Sequence, residues 1–494
     1  MAFFGREDDL RRLGTLWKRS LASLVTCRGR RRIGKSTLIR QFADRSGARL
    51  LRLEGLAPQR RMGNADQLAA FGRQLAEQTG TSPALPESWF DAFRLLDKAI
   101  PAAGKTVVLL DEVSWMGRHD PNFAGELKYA WDNRFHDRKD LVVVVCGSVS
   151  AWIEENILAN TGFVGRISLD LIVRELPLRD CAKFWGKALA RVSPREVLDI
   201  LAVTGGVPRY LEELDPSLPA DDNIGRMCFS PNGYLFRDFN DVFASVFGAN
   251  APVKRKILEA LAETELGGLE LAARLGIARN GRLSSVMDKL EMAGFVSKNA
   301  GMNPSTGKRS RQGRYRLKDN YARFYLKYIA PFREQILGGA FEFFSLENLP
   351  AWNTVLGLQF ENLILNNVHE LLPFLHLEGK QILSAAPWRS RRTADAAGCQ
   401  IDLLVQSRKA VCVVEVKRQN EIGEEVEREV AEKVRRLKIR DGMSVRTALV
   451  YDGHLAKSVQ GSGFFDALVP ISALLGPARE QPAFPSGTDA SQAH

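Results

Sequence analysis

The sequence predicts an α/β protein in which a buried parallel sheet comes first and a second, smaller α/β unit comes last. Short apolar runs at 21–27, 106–110 and 141–146 have the length of buried strands, and each is followed by a polar or glycine-containing loop. Nearer the C-terminus, the apolar runs 401–405 and 411–416 are separated by a polar turn, which predicts a β-hairpin. At 494 residues, the chain is long enough for two to four domains.

The loop after the first apolar run is the most specific feature of the chain. It fills the pattern G-x-x-x-x-G-K-[ST] and reads Gly29-Arg30-Arg31-Arg32-Ile33-Gly34-Lys35-Ser36-Thr37. Its glycines allow backbone N–H groups to turn towards phosphate oxygens, and the helical pattern at 36–43 adds the positive end of a dipole. Lys35 is expected to reach the β- and γ-phosphates, and the Ser36 hydroxyl to ligate Mg²⁺. A glycine turn that happens to carry a lysine is the alternative, but strand, loop and helix together indicate nucleoside triphosphate binding.

Two carboxylates follow the second apolar run, where parallel sheets place their ligands. Asp111 is expected to hold Mg²⁺ through water, and Glu112 to polarise the attacking water. An Asp-Glu pair after a strand can also be a helix cap. Its combination with the phosphate loop favours the catalytic interpretation.

Two further residues are candidates for sensing the γ-phosphate. Ser148 follows the third apolar run, and its hydroxyl is expected beside that phosphate or, equally, in a simple Gly-Ser turn. Arg166 is a candidate phosphate contact, in cis or from a neighbouring subunit, with a surface position as the alternative. The sequence does not decide between these positions.

Several short segments occur in a characteristic order: Phe4-Gly5-Arg6-Glu7, the Gly-Arg-Arg-Arg phosphate loop, Leu-Leu-Asp111-Glu112, Cys-Gly147-Ser148 and Thr204-Gly205-Gly206-Val207-Pro208. Together they resemble the archaeal-type ATPases, a branch related to the STAND ATPases within the broad AAA+ group. The resemblance implies ATP and Mg²⁺ as cofactors, ATP hydrolysis, and a P-loop NTPase parallel sheet over 1–175 followed by a helical lid over 176–245. It also implies that Gly5, Arg6 and the residues Gly206, Val207 and Pro208 border the adenine.

Residues 246–320 have the pattern of a winged helix-turn-helix. Three short helical patterns precede the segments 295–297 and 315–317, which are expected to pair as a hairpin. Basic residues lie where such folds contact DNA, namely Arg279, Arg282, Lys308, Arg309, Arg311 and Arg314. Duplex DNA binding and a role as a spacer packed on the ATPase remain open alternatives. A connector is expected over 321–345.

The register of the C-terminal hairpin brings two acids together. If the turn centres on residues 408–409, Gln406 pairs with Val411 and Asp402 lies opposite Glu415. Facing carboxylates at 4 Å repel by about 4 kcal/mol at an effective dielectric near 20. A bridging divalent cation would relieve this repulsion. A different register, or an ion pair of one acid with a lysine, is the alternative.

Lys417 lies on the same face as Glu415, so the chain carries the pattern D-x12-E-x-K. This pattern resembles the PD-(D/E)XK nuclease superfamily, although the usual Pro before the first Asp is replaced by Ile401. The resemblance implies a restriction-endonuclease-like α/β domain over 346–476. In it, Asp402 and Glu415 would be metal ligands with a backbone carbonyl as a third. Lys417 would serve the nucleophile, and Glu361, on a preceding helix, would support the metal shell.

The remaining sequence bounds the function. The net charge of +11 favours a polyanionic partner, and DNA is the expected one. No apolar run has the length of a membrane span and the cysteines are scattered, so no membrane contact and a cytoplasmic location are expected. The amphipathic helix at 424–440 is interpreted as structural, and 477–494 as a disordered tail.

The function that these patterns predict is an ATP-hydrolysing switch controlling a DNA-directed, metal-dependent nuclease. The alternatives are a regulatory ATPase without nuclease activity, whose winged helix binds DNA or a protein, and a defence ATPase acting on RNA. An oligomer is possible within each of these readings.

Overall fold

The structure is a computed structural model, and it describes residues 3–59, 61–148, 150–247, 251–277, 281–309, 313–341, 345–377, 381–390 and 398–476. The predicted tail 477–494 and the basic residues Arg279 and Arg311 lie outside the described residues. None of the helices in the described part of the chain is both long enough and apolar enough to cross a membrane.

The N-terminal part is built on a parallel sheet. Its strands are Ser23–Arg28 (β1), Arg49–Glu54 (β2), Thr106–Asp111 (β3), Leu141–Gly147 (β4) and Ile167–Ile172 (β5). They lie in the order β2-β3-β4-β1-β5, which confirms the predicted parallel sheet. Side chains of the inner strands are buried on both faces: Val25 and Cys27 belong to one apolar cluster, and Leu24 to another.

Helices cover both faces of this sheet. They are Glu7–Gly14 (α1), Lys35–Ser46 (α2), Asn64–Thr79 (α3), Trp89–Ala99 (α4), Val113–Met116 (α5), Phe123–Ala130 (α6) and Ser150–Ile153 (α7). The region predicted as the lid is helical. Its helices are Leu178–Ala182 (α8), Pro194–Thr204 (α9), Pro208–Leu211 (α10), Ala220–Cys228 (α11) and Tyr234–Phe247 (α12).

The next region, which we call the middle region, spans 251–317 and combines three helices with a small antiparallel sheet. Its elements are Ala251–Glu263 (α13), Leu266–Gly267 (β6), Gly268–Leu275 (α14), Gly281–Met292 (α15), Val296–Asn299 (β7) and Arg314–Leu317 (β8). The strand order is β6-β8-β7. Val296 pairs with Leu317, so the predicted hairpin is confirmed.

Residues 321–329 of the predicted connector are helical and mostly buried, whereas most of its later described residues are exposed or half-buried. The helices here and just beyond are Asn320–Phe324 (α16), Arg333–Leu337 (α17), Trp352–Asn366 (α18) and Val368–Leu371 (α19). Tyr321 and Tyr325 are almost fully buried, and the ring of Tyr325 stacks on Phe239 of α12 at 4.2 Å between centroids. Aromatic packing of this kind fixes the connector against the lid.

The C-terminal part is a mixed sheet. Its strands are Ile382–Ser390 (β9), Cys399–Ser407 (β10), Ala410–Ile422 (β11), Ser444–Leu455 (β12) and Ala467–Pro470 (β13). Its helices are Glu425–Arg436 (α20), Lys457–Gly461 (α21) and Ile471–Leu475 (α22). In the order β13-β12-β11-β10-β9, the strands β9, β10 and β11 are antiparallel, whereas β11, β12 and β13 are parallel. Gln406 pairs with Val411, which confirms the predicted register. The helix α20 ends at Arg436, four residues earlier than predicted.

Candidate functional sites

The phosphate loop connects β1 to α2 in the conformation that its glycines permit. Gly34 has φ +88°, and a side chain at Gly29 would lie 2.3 Å from the carbonyl oxygen of Val173. Lys35 is nearly buried, and its Nζ donates to the carbonyl oxygens of Gly29 and Arg30 at 3.0 Å each. The loop therefore curls around the lysine at the N-terminus of a helix, which is a ready anion site.

A cavity of about 450 Å³ opens beside this loop, and we call it the phosphate-loop cavity. The predicted site residues that line it are Arg6, Arg31, Arg32, Ile33, Gly34, Lys35, Ser36, Thr37, Glu112 and Pro208. Its other walls were not predicted as site residues and are Phe3, Phe4, Leu176, Phe184, Arg209 and Glu212. The rings of Phe4 and Phe184 meet edge-on at 4.9 Å, so one end of the cavity is apolar and aromatic. A planar base suits that end, and phosphates suit the other.

Three predicted neighbours of the adenine, Gly5, Gly206 and Val207, do not line the cavity but support its wall. A side chain at Gly5 would overlap the carboxylate of Asp180, and one at Gly206 would lie 2.3 Å from the carbonyl oxygen of Leu176. Val207 is fully buried. These positions therefore require small or apolar residues because the backbone is closely packed there.

The carboxylates after β3 are held by different partners. Asp111 is buried, and its Oδ2 accepts from Arg52 Nε at 3.2 Å and from an Arg52 terminal nitrogen at 3.0 Å. Glu112 has the left-handed φ of +49° and lines the phosphate-loop cavity. A non-glycine residue in this conformation is costly and is characteristic of functional sites.

Ser148 lies against Glu112 and is not among the residues lining the cavity. Its Oγ donates to Glu112 Oε2 at 2.8 Å, and its backbone N–H reaches the same oxygen at 3.2 Å. The hydroxyl therefore orients the carboxylate of Glu112, and its expected place beside the γ-phosphate stays a prediction.

The structure does not bring Arg166 to the phosphate loop. Its Nε donates to Asp132 Oδ1 at 2.6 Å and its Nη2 to Asp132 Oδ2 at 2.9 Å. This two-pronged contact lowers the pKa of Asp132 to about 2. Arg166 thus contacts Asp132 in this arrangement, and a phosphate contact, in cis or from a neighbouring subunit, stays a prediction.

The arginines of the phosphate loop contact regions that follow the N-terminal parallel sheet in the sequence. Arg30 pairs with Asp319 at 2.8 Å and with Glu175 at 3.4 Å, and it does not line the cavity. Arg32 pairs with Asp238 of the lid. Charged side chains thus join the loop to the lid and to the start of α16.

A second cavity, of about 570 Å³, lies on the C-terminal sheet, and we call it the carboxylate cavity. Glu361 from α18, Asp402 from β10, and Glu415 and Lys417 from β11 all line it. The hairpin of β10 and β11 brings Asp402, Glu415 and Lys417 together, and α18 adds Glu361 from an earlier part of the sequence. Asp402 also accepts the backbone N–H of Val416 through Oδ2 at 3.0 Å, which fixes its carboxylate across the hairpin.

The pKa values of Glu361 and Asp402 in this cavity are raised. Burial, and then the charges of Asp402 and Glu415, raise the pKa of Glu361. Burial, and then the charge of Glu415, raise the pKa of Asp402. A cluster of buried acids that resists ionisation is a characteristic setting for a cation or a catalytic proton.

Two lysines balance part of the negative charge of these carboxylates. Lys433 of α20 pairs with Glu415, and Lys417 Nζ lies 3.3 Å from Glu415 and 2.6 Å from Glu429. This helix, interpreted as structural from its sequence pattern, therefore also contributes side chains to this cavity. Its polar face lines the cavity, although an amphipathic pattern alone cannot distinguish a solvent-facing polar side from a cavity-facing one.

The same geometry limits the ligands that are available for the predicted metal ion. Among the residues that the structure describes, no group of three His, Cys, Asp or Glu side chains is placed to hold a metal ion. A site at Asp402 and Glu415 thus needs a non-side-chain ligand, such as the backbone carbonyl that the nuclease resemblance implies.

The C-terminal sheet is docked onto the lid and the middle region. Arg418, next to Lys417, pairs with Asp199 of α9, and Asp452 accepts from both Arg418 and Arg195. Gln359 of α18 donates to the carbonyl oxygen of Ala202 at 2.8 Å. Arg418 itself lines the carboxylate cavity, so an ion-pair network connects the wall of this cavity to the lid.

The strand, phosphate loop, helix and neighbouring-strand carboxylates define a P-loop ATPase domain. Residues 3–214 match a family described as an ATPase domain predominantly from Archaea, so this part of the chain is similar to that family. The match ends before the middle region and the C-terminal sheet.

Other similarities extend over more of the chain. The uncharacterized protein MJECL04 of Methanocaldococcus jannaschii is 26% identical over 419 residues, which cover 84% of this chain and 87% of that protein. The Walker-type ATPase PABY2304 of Pyrococcus abyssi is 16% identical, with a TM-score of 0.46 over 66% of this chain and 96% of that one. The ORC2 protein of Aeropyrum pernix is 15% identical, with a TM-score of 0.41 over 67% of this chain and 95% of that one.

Proposed function

We propose that this protein is an ATP-hydrolysing switch that controls a DNA-directed, metal-dependent nuclease formed by residues 346–476. The observation that carries the nuclease part is the convergence of Glu361, Asp402, Glu415 and Lys417 in one cavity. Three acids and a lysine from α18, β10 and β11 meet there, at an energetic cost that a bound cation would offset.

In the ATPase domain, Lys35 binds the β- and γ-phosphates, while Ser36 and Asp111 hold Mg²⁺. The metal supplies charge neutralisation at the phosphates. Glu112 accepts the proton of the attacking water, and Ser148 keeps its carboxylate oriented through the 2.8 Å hydrogen bond. The aromatic end of the cavity, with Phe4 and Phe184, accommodates the adenine.

In the C-terminal domain, Asp402 and Glu415 hold the divalent cation, with the Val416 carbonyl as an additional ligand. The cation supplies Lewis-acid stabilisation of a phosphodiester. Burial, and then the charge of Glu415, raise the pKa of Asp402, and a bound cation would favour the ionised carboxylate against both effects. Lys433 would exchange its contact with Glu415 for solvent, and Lys417 would orient the nucleophile.

The route of control follows the ion pairs. Nucleotide-dependent movement of the phosphate loop is transmitted through Arg32 to Asp238 of the lid, and from Asp199 of the lid to Arg418 of β11. Arg418 is the neighbour of Lys417, so a shift of the lid changes the carboxylate cavity directly. Such a switch requires an element with two arrangements whose equilibrium depends on both sites, and the lid is that element here.

Cleavage assays test the nuclease proposal. Duplex DNA, single-stranded DNA and RNA are incubated with Mg²⁺ or Mn²⁺, with and without ATP. We expect metal-dependent cleavage of DNA that is lost in Glu415→Ala and in Lys417→Ala. Glu421→Ala is the matched control, because Glu421 lies exposed on the same strand and outside the cavity. If no nucleic acid is cleaved, the nuclease proposal fails; if only RNA is cleaved, the substrate class is wrong.

The ATPase proposal is tested separately. Lys35→Ala is expected to weaken ATP binding by roughly 100-fold, because it removes a charge-assisted contact to the phosphates. Wild-type affinity and turnover in this variant would overturn the proposed site.

A regulatory ATPase without nuclease activity is the second candidate, and a specific observation favours it. Arg314 is engaged by Glu270 at 2.8 Å, and the segment after β7 is docked on the C-terminal sheet, where Gln406 donates to the Met302 carbonyl at 2.7 Å. These contacts fit a middle region that acts as a packed spacer. Partner or DNA binding without cleavage would identify this function.

A further inference from the structure

A third cavity, of about 450 Å³, lies where the ATPase sheet, the middle region and the C-terminal sheet meet. Its walls are the segment 174–176 after β5, the strands β7 and β8 with Lys318, the end of α18, and β9. Leu176 lines both this cavity and the phosphate-loop cavity. We call it the basic cavity because arginine and lysine side chains line it.

Three cationic side chains line the basic cavity: Arg174, Arg316 and Lys318. The one carboxylate in its wall belongs to Glu175, which already pairs with Arg30 of the phosphate loop at 3.4 Å. Over the described ranges of the chain, none of the three cations forms an ion pair with a carboxylate. The cavity therefore carries an excess of positive charge.

Arg316 makes this excess unusual because it is only 6% exposed. Its guanidinium donates to the neutral amide oxygens of Asn362 and Asn366, and its Nε has no hydrogen-bond partner among the described residues. Burial lowers the pKa of Arg316 to about 10 and also lowers the pKa of Lys318. Buried charges in proteins are ordinarily paired, so this one indicates an anionic ligand.

We propose that the basic cavity binds a phosphoryl group, carried by a small phosphorylated molecule or by the backbone of a nucleic acid. Two guanidinium groups and one ammonium group match a doubly charged phosphoryl better than a single carboxylate. Neutral donors from Asn366 and Ser384 are available on the same walls. The volume equals that of the phosphate-loop cavity and lies within the usual range for ligand sites.

The proposal is independent of the ATPase and nuclease assignments, and its test excludes the phosphate loop. Sodium pyrophosphate is titrated calorimetrically into the full-length Lys35→Ala protein. The cavity variant adds Arg174→Ala and Lys318→Gln to this background. The matched control adds Arg191→Ala and Lys187→Gln, which remove the same charge from exposed positions outside the cavity.

We expect saturable binding that weakens about tenfold or more in the cavity variant and is unchanged in the control. Adenosine monophosphate and a 20-base-pair DNA duplex are the parallel titrants; binding of the duplex alone, lost in the cavity variant, identifies a nucleic-acid backbone as the source. Absence of saturable binding for all three titrants, or equal binding by both double variants, overturns the proposal. If the cavity variant does not fold, Arg174→Ala alone replaces it, because Arg174 is exposed.

Discussion

The phosphate-loop cavity and the carboxylate cavity are both charged, yet they are built in different ways. The anion-binding part of the first is made by one contiguous loop, whose backbone groups and Lys35 line the cavity next to walls from other segments. The second is made by side chains from α18, β10, β11 and α20, in which Glu361, Asp402 and Glu415 repel one another. The contrast teaches that a backbone cradle is encoded locally, whereas a side-chain cluster depends on strand register and on neighbouring lysines.

The largest expected effect is on ATP turnover, with ATP affinity unchanged, and it concerns the phosphate-loop cavity. Glu112→Gln should reduce ATP turnover by about 10²–10⁴-fold, because it removes the base while keeping the shape of the side chain. ATP affinity should remain near that of the wild type, since the phosphates are held by the loop. Steady-state turnover and nucleotide-binding titrations measure the two quantities.

Glu126→Gln is the control for this prediction, because Glu126 lies outside both cavities. Turnover within a few-fold of wild type in Glu112→Gln would show that the carboxylate is not the base.

The next effect concerns charge balance in the carboxylate cavity. Lys433→Met should lower the free energy of unfolding by about 3 kcal/mol, because it leaves Glu415 with one lysine fewer beside two other acids. Chemical denaturation measures this loss. Lys438→Met, at an exposed position just after α20, should change stability by less than about 0.5 kcal/mol.

Added Mn²⁺ sharpens the same comparison. If the acids form a cation site, millimolar Mn²⁺ should raise the melting temperature of Lys433→Met more than that of the wild type, because the competing ammonium is gone. An identical response of both proteins would argue against a cation between these carboxylates.

How much could be foreseen depends on the range of the interactions. The phosphate loop could be located because nine consecutive residues carry its geometry, and the Gln406–Val411 register because a short turn fixes it. The partners of Arg30, Arg166 and Arg314 could not be predicted, since each finds an acid far away in sequence. For arginine, sequence gives the charge but not the partner.

The polar face of α20 shows the same limit. Its residues Glu429, Glu432, Lys433 and Arg436 recur at helical spacing, which is equally typical of a surface helix. Only the crossover from β11 to β12 turns this face towards Glu415. The burial of the first part of the connector could not be predicted for a related reason: Tyr321 and Tyr325 both contact the ring of Phe239 in the lid, which is distant in sequence.

A smaller effect tests the contact between the C-terminal sheet and the lid. Burial raises the pKa of Asp199 to about 6, and the opposing effect of Arg418 does not cancel it. The folded protein therefore keeps a proton that the unfolded chain loses near pH 3.8, so this contribution to stability is greatest at low pH and is lost as the pH rises to about 6. The loss is on the order of 3 kcal/mol, from a shift of about two pKa units.

Asp199→Asn removes this titration and should flatten the stability profile between pH 4 and 6. Denaturation curves at several pH values measure it, with Asp222→Asn on the neighbouring helix as the control at an exposed carboxylate. An unaltered slope in Asp199→Asn would mean that Asp199 titrates normally and that the docking contact is open to solvent.

The smallest effect returns to the phosphate-loop cavity. Ser148→Ala should lower turnover by about tenfold, because the carboxylate of Glu112 loses a charge-assisted hydrogen bond of 2.8 Å while keeping the backbone N–H of residue 148. ATP affinity should not change, since Ser148 does not line the cavity. In the double variant Ser148→Ala/Glu112→Gln, turnover should equal that of Glu112→Gln alone, because the hydroxyl acts only through Glu112. Additive losses would instead mean that Ser148 contacts the nucleotide itself, and the comparison of single and double variants in one turnover assay decides between the two.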